Sequence, residues 1–320
     1  MRRTIVPVDL GGSPTPCLLR PPLRPPPTPA LVQALIAHYR AERAPPGADL
    51  EVAFFHGGLP TDALLEAAAG CAIRVACSPA DLSRAEAERL LSAGVGTLEL
   101  EVGTFQRDVL RALDRGYRPA MVLTMLTVLR ARGVRLGATL VSGLPGSSHE
   151  SAVADVAALV DDGGPLVDFV RLYPALALEG TGLAARAAQG AWVPMHLGEA
   201  VTTCVAMAER LDAAGIEIAR VGMQPGQDVP GRVAAGPVHP NLRQLVEVRR
   251  FHRRMESAMR FVPAGSVVQI SVNPRDLAWA KGTANENLRS LRAQLSLEGL
   301  TVTPDAAVAR GAVLLAHVAG

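Results

Sequence analysis

A thiolate–imidazole–thiolate set is the first arrangement in this 320-residue chain that could do chemistry. Cys17, His56 and Cys77 each lie at or just beyond the end of a short apolar run, and sulfur with imidazole is a donor set that zinc accepts. No ligand-spacing motif joins the three, so the simpler reading, three unrelated loop residues, is preferred. Glu99 and Glu101 stand two residues apart in an apolar run, which on a strand puts both carboxylates on one face. There they could do acid–base work or, the preferred reading, pair with Arg74, Arg135 or Arg171. Arg171 and Tyr173 share a face in the same way and could hold an anionic ligand or neutralise those glutamates. Gly143-Leu144-Pro145-Gly146 with Ser147 and Ser148 ends an apolar run and starts a helical one. Backbone N–H groups there could meet an anion or a nucleoside; a tight turn with a serine N-cap explains the same residues. Cys71 and Cys204 read as packing residues.

These side chains need elements to position them, and the pattern supplies an alternating series. Strand-like runs are expected at Thr4–Leu10, Leu50–His56, Ile73–Cys77, Thr97–Val102, Arg135–Ser142 and Phe169–Tyr173, with a further one at Glu217–Met223. Helical runs fall between them at Ala30–Arg43, Thr61–Ala69, Arg84–Ala93, Phe105–Arg115, Ala120–Arg132, Glu150–Asp161 and Leu197–Ala214. Gly11–Pro29 is a proline-rich loop that can be neither helix nor central strand; its Pro21–Pro29 part could be a partner contact or a bridge. Alternation at this spacing predicts a parallel sheet with crossover helices, whose ligands sit at the carboxyl ends of the strands. The expected fold is a partial (β/α)6 barrel over residues 1–225. A linker and basic helix follow over 226–265, then a small α+β module over 266–320.

Several segments together resemble one branch of the radical SAM superfamily, the stand-alone bacterial proteins related to the radical-SAM domain of the Elongator catalytic subunit. They are Glu51-Val52-Ala53-Phe54-Phe55 before a Gly-Gly pair, Gly143-Leu144-Pro145-Gly146, Val170-Arg171-Leu172-Tyr173-Pro174 with Glu179-Gly180-Thr181, Arg220-Val221-Gly222-Met223-Gln224-Pro225 and Ala235-Gly236-Pro237-Val238-His239-Pro240. The resemblance implies S-adenosylmethionine as cofactor, with Gly57, Gly58, Glu101, Thr104, Gly143, Arg171 and Tyr173 at its contacts. It also implies a [4Fe–4S] cluster held by a Cys-x3-Cys-x2-Cys loop after the first strand. Here that loop reads Ser13-Pro14-Thr15-Pro16-Cys17-Leu18-Leu19-Arg20. Serine is a poor iron ligand and arginine keeps its charge and cannot ligate, so Cys17 alone remains and no cluster is expected. The family's Phe-Phe-Gly-Gly-Ser-Phe becomes Phe55-His56-Gly57-Gly58-Leu59, and its Gly-Val-Gln-Ser becomes Glu101-Val102-Gly103-Thr104. The pattern is that of a pseudoenzyme acting as scaffold, sensor or RNA-associated protein. The rivals are an active tRNA-modifying enzyme with Cys17, Cys71 and Cys77 converging on one cluster, and a cluster-free S-adenosylmethionine switch.

The C-terminal module carries a second resemblance. Ala280-Lys281-Gly282-Thr283-Ala284-Asn285 lies between two helical stretches, the whole expected over Leu277–Leu295, and is similar to the Gly-x-x-Gly loop of KH domains, which clamps a nucleic-acid backbone. Asn285 replaces the second glycine. Lys281 and Gly282, with Arg249, Arg250 and Arg253 of the preceding helix, are the candidate RNA contacts; the alternative is a solvated helix face. The formal charge of +2 and the four cysteines exclude a polybasic protein and a disulfide scaffold. No secretory core or membrane-length apolar run is seen, so a cytoplasmic location is expected. A protein partner over the open barrel face is the alternative to RNA.

Overall fold

The computed structural model describes residues 3–10, 26–55, 58–223 and 233–319. The chain divides into two units after Pro240. The first holds seven parallel strands: β1 (Thr4–Asp9), β2 (Leu50–Phe55), β3 (Ala72–Cys77), β4 (Val95–Gly103), β5 (Arg135–Ser142), β8 (Phe169–Pro174) and β10 (Glu217–Val221). Their spatial order follows the chain, β1-β2-β3-β4-β5-β8-β10, and β10 does not pair back to β1. The sheet is therefore an open half-barrel. The expected count of six falls one short because β10 also pairs in parallel, with β8.

Helices α1 (Pro29–His38), α2 (Asp62–Ala67), α3 (Arg84–Ser92), α4 (Arg107–Ala112), α5 (Pro119–Arg130), α6 (His149–Ala157), α7 (Gly182–Ala188) and α8 (Leu197–Ala213) connect the strands. Local chemistry starts them. Thr28, Ser83, Ser148 and Thr181 each accept a hydrogen bond from a first-turn N–H, and Ser148 and Ser151 form a reciprocal capping box. The helix expected to run to Asp161 stops at Ala157 instead. Two-residue strands β6 (Val160–Asp161) and β7 (Gly164–Pro165) form a hairpin there, because Asp161-Asp162-Gly163-Gly164 is turn sequence. A second small pair, β9 (Ala177–Leu178) with β11 (Val233–Ala235), was not expected either.

The second unit contains α9 (Leu242–Ala258), β12 (Val267–Val272), α10 (Leu277–Lys281), α11 (Glu286–Gln294), β13 (Gly299–Pro304) and β14 (Val313–Ala319). The sheet order is β13-β12-β14, with β13 parallel and β14 antiparallel to β12. Phe251, Met255 and Met259, from α9 and the turn after it, pack with Val268, Ile270, Val272, Ala280 and Leu291 in one core. The basic helix thus packs into the core of this unit. Among the described residues no helix is long and apolar enough to cross a membrane.

Candidate functional site

Alternation along the parallel strands gives the half-barrel two faces. One carries the aliphatic residues under the helices; the other carries a ladder of buried charges. Arg74 on β3 donates from Nη2 to Glu51 Oε2 on β2 at 2.6 Å. Its Nη1 lies 3.9 Å from Glu99 Oε2 on β4. Arg171 on β8 meets both Glu99 oxygens through Nε, at 2.7 and 2.9 Å. Thr139 on β5 donates to Glu99 Oε1 at 3.0 Å. At the solvent end, half-exposed Arg3 reaches Glu51 at 3.9 Å. All the inner members, Glu51, Arg74, Glu99, Thr139 and Arg171, are buried. Burial opposes the charge on Arg171, but Glu99 and Tyr173 beside it outweigh that and raise its pKa.

The expected pairing of Glu99 with Arg171 and Arg74 is present. Arg135 instead bonds Glu217 at 2.8 Å and stacks over Phe169. Glu51 was not anticipated as a charge partner, although a lone acid inside Leu50–Phe55 was its visible signal.

The strand ends hold the other candidates. Glu101 and Tyr173 are half-buried above the ladder. Burial raises the Tyr173 pKa, and Arg171 pulls against that shift. Thr104 is buried, and its hydroxyl accepts from Gln106 N at 3.0 Å and bonds Asp155 of α6. It fastens the loop after β4 to α6, a task that occupies its polar atom. Gly143 has φ +74°, an added Cβ would lie 2.6 Å from Met195 Cε, and its carbonyl accepts from Trp192 Nε1 at 3.0 Å. The segment before α8 therefore closes over this turn. Gly58, with φ +55°, lines an open cavity of about 510 Å³ with Asp62, Asp81 and Arg89. Arg89 bonds Asp62, Glu86 and the Pro60 carbonyl, which pins that loop. Ser13, Cys17, Arg20, His56 and Gly57 lie outside the described residues.

A cubane needs thiolates that converge. Cys71 precedes β3 and Cys77 ends it, so six extended residues separate them by ~20 Å. The ligand set Cys17–Cys71–Cys77 is excluded on that ground. Cys77 also shares its strand face with Ile73 and Val75, opposite Arg74, and Cys204 sits buried in α8. Burial pushes the Cys77 thiol well up and the Cys204 thiol up to about 12. Among the described residues no group of three or more His, Cys, Asp or Glu is placed to hold a metal ion. The described residues do not fit an iron–sulfur cluster. In a Cys17→Ser variant, a thiol reagent at pH ~8 is expected to label Cys71 in the native chain, and Cys77 and Cys204 only after unfolding; rapid native labelling of Cys77 would show it accessible and contradict this placement.

In the second unit, Arg249 and Arg253 are exposed on α9. Arg250 corrects the expectation of a shared basic face: it is buried and bonds Glu247 at 2.8 Å. The i,i+3 spacing of that pair was a signal in the sequence. Lys281 is half-buried beside Gly282, whose φ is +70° and whose added Cβ would meet Glu286 Cγ at 2.7 Å. Ala284 and Asn285 follow in left-handed backbone, φ 49° and 59°. This turn is held from below by buried Asn287, whose Nδ2 donates to the carbonyls of Val248, Trp279 and Ala280 at 3.0–3.2 Å. Asn287→Ala is expected to cost about 1–3 kcal/mol by leaving those carbonyls short of a donor; an unchanged thermal midpoint of the full chain would contradict it.

Residues 167–254 match the family model described as the Radical_SAM C-terminal domain. The tRNA uridine(34) acetyltransferase of Dehalococcoides mccartyi is 29% identical over 170 residues, covering 52% of this chain and 36% of that protein. The tRNA uridine(34) acetyltransferase of Methanocaldococcus infernus is 25% identical over 176 residues, covering 55% of this chain and 32% of that protein. The chain thus spans about a third of the length of the curated relatives it matches. The structure of the archaeal Methanocaldococcus infernus Elp3 with an N-terminal deletion superposes with a TM-score of 0.60 at 18% identity, covering 82% of this chain and 66% of that one.

Proposed function

We propose, for a chain whose half-barrel resembles that of Elp3 and whose residues 167–254 match the Radical_SAM C-terminal domain, a tRNA-associated role without iron–sulfur chemistry. The observation that carries this reading is the sulfur geometry: Cys71 and Cys77 sit at opposite ends of β3, in a chain with four cysteines and with Ser13 and Arg20 at two ligand positions. The self-neutralising ladder gives the half-barrel a rigid interior that needs no cluster to hold it. The second unit supplies the RNA contact. From Asn241 onward it carries 11 Lys and Arg against 6 Asp and Glu, whereas the first 240 residues carry 21 against 24. A basic unit on an otherwise acidic chain is the electrostatic footprint of a nucleic-acid binder. The order β12–α10–α11–β13, with a glycine turn between the helices, supports a KH-like role for Lys281 and Gly282. The matched relatives bear names in tRNA modification.

Two measurements test this. Anaerobic reconstitution is expected to leave iron and acid-labile sulfide near zero; a full complement with a charge-transfer band overturns the cluster-free reading. Binding to bulk tRNA is expected to weaken steeply with salt; no binding at low salt overturns the RNA role. A second reading, S-adenosylmethionine as a ligand of the cluster-free barrel, is favoured by Glu101 and Tyr173 standing half-exposed above Arg171, with Gly57, Gly58 and Gly143 as further candidates. A ligand that binds only the native state raises the thermal midpoint, so an unchanged midpoint at millimolar S-adenosylmethionine removes it.

A further inference from the structure

The chain has eleven aromatic residues, and ten of them are buried or half-buried. Phe261 is the exception, 84% exposed at the turn that follows α9. It is also ordered by a neighbour: the Arg260 guanidinium lies over the ring, 4.5 Å from its centroid. An aromatic face paired with a guanidinium plane is the platform on which unstacked bases rest. The ring does not stand alone. Arg249 and Arg253 are exposed one turn apart on α9, and exposed Arg260 follows in the turn after the helix. That short basic run ends at Phe261. Arg250 is buried and bonds Glu247, and Arg254 bonds the Gly311 carbonyl.

We infer that the end of α9 and the turn after it form a single-stranded RNA track, with phosphates along Arg249, Arg253 and Arg260 and one base stacked on Phe261. The inference rests on the RNA-associated reading and names its substrate class. A duplex keeps its bases stacked on one another, so the platform selects unpaired nucleotides. A membrane surface fits less well. Beside Phe261, Val262 packs into the core and Ala264 is small, so a single large apolar side chain would have to insert.

The test uses the full chain, a labelled mixed-sequence 12-nucleotide RNA (a length of about one such site), the same RNA as a duplex, and phosphatidylserine-containing vesicles. Phe261→Ala is expected to leave the thermal midpoint unchanged and to weaken single-strand binding roughly 5- to 150-fold, with the salt slope retained. Phe261→Trp restores affinity, and its added fluorescence is quenched by the RNA. The double variant R249A/R253A weakens binding and flattens the salt slope by about two phosphate contacts. If the unaltered chain binds RNA and Phe261→Ala binds it equally well, the platform is overturned while the RNA reading stands. If the unaltered chain binds neither RNA form, both fall. If Phe261→Ala abolishes vesicle binding and spares RNA binding, the residue is a membrane anchor and the inference is wrong.

Discussion

Glu99→Ala is expected to destabilise the half-barrel by about 3–5 kcal/mol, the cost of stranding a buried ionic partner. Glu99 is the hinge of the ladder: it takes both close contacts of Arg171, the Thr139 hydroxyl and the long contact of Arg74. Arg74 retains Glu51 at 2.6 Å when Glu99 is removed. Arg171 loses both of its close carboxylate contacts, and it is only 9% exposed. The loss therefore falls mainly on Arg171. Glu99→Gln keeps the shape and the hydroxyl contact but not the charge, and should cost less. Glu99→Leu with Arg171→Met removes charge from both sides, and a buried pair replaced by apolar residues of similar volume is often neutral. Thermal unfolding of the full chain distinguishes these. If the double variant is as unstable as Glu99→Ala, the cost lies in lost packing rather than in an orphaned cation.

The ladder also marks how far the sequence is readable. Alternation alone places Glu99, Glu101, Arg171 and Tyr173 on one face, because period 2 is a property of any strand. Which strand lies beside which follows from the parallel order, so the Glu99–Arg171 pairing across β4, β5 and β8 is foreseeable. The Glu51–Arg74 arm is harder. Arg74 pairs in register with Ala53 and Thr97, so its acids lie diagonally across the neighbouring strands, and diagonal reach depends on rotamers and twist. Boundaries show the same split. Arg135–Ser142 occurs as expected, because it is an apolar run closed by Gly143. The pairs β6–β7 and β9–β11 have only two or three residues per strand, too few to leave a periodic pattern, and β13 alternates with polar threonines on a half-exposed face. The cysteines show the reverse case. Their spacing in the sequence leaves a convergent set conceivable, and only the extended course of β3 sets Cys71 and Cys77 apart.

The second large effect is expected at Gly137, where the barrel interior has no room for one carbon. Gly137 on β5 pairs in register with Phe169 on β8. A Cβ at 137 would fall 2.2–2.9 Å from three atoms of the Phe169 ring, well inside van der Waals contact. The ring cannot simply swing aside. It is fully buried, with the Arg135 guanidinium 4.5 Å and the Arg74 guanidinium 5.3 Å from its centroid. Displacing it disturbs the same arginine that bonds Glu51, so overpacking and the charge ladder are coupled. Gly137→Ala is therefore expected at the upper end of overpacking costs, about 3 kcal/mol. The chain should recover most of that stability when Phe169→Leu is added, since the smaller side chain vacates the ring position. Measured as a double-mutant cycle by thermal unfolding, the coupling should exceed roughly 1 kcal/mol. Additive losses would mean that Gly137 is needed for backbone freedom, and its φ outside the left-handed region speaks against that.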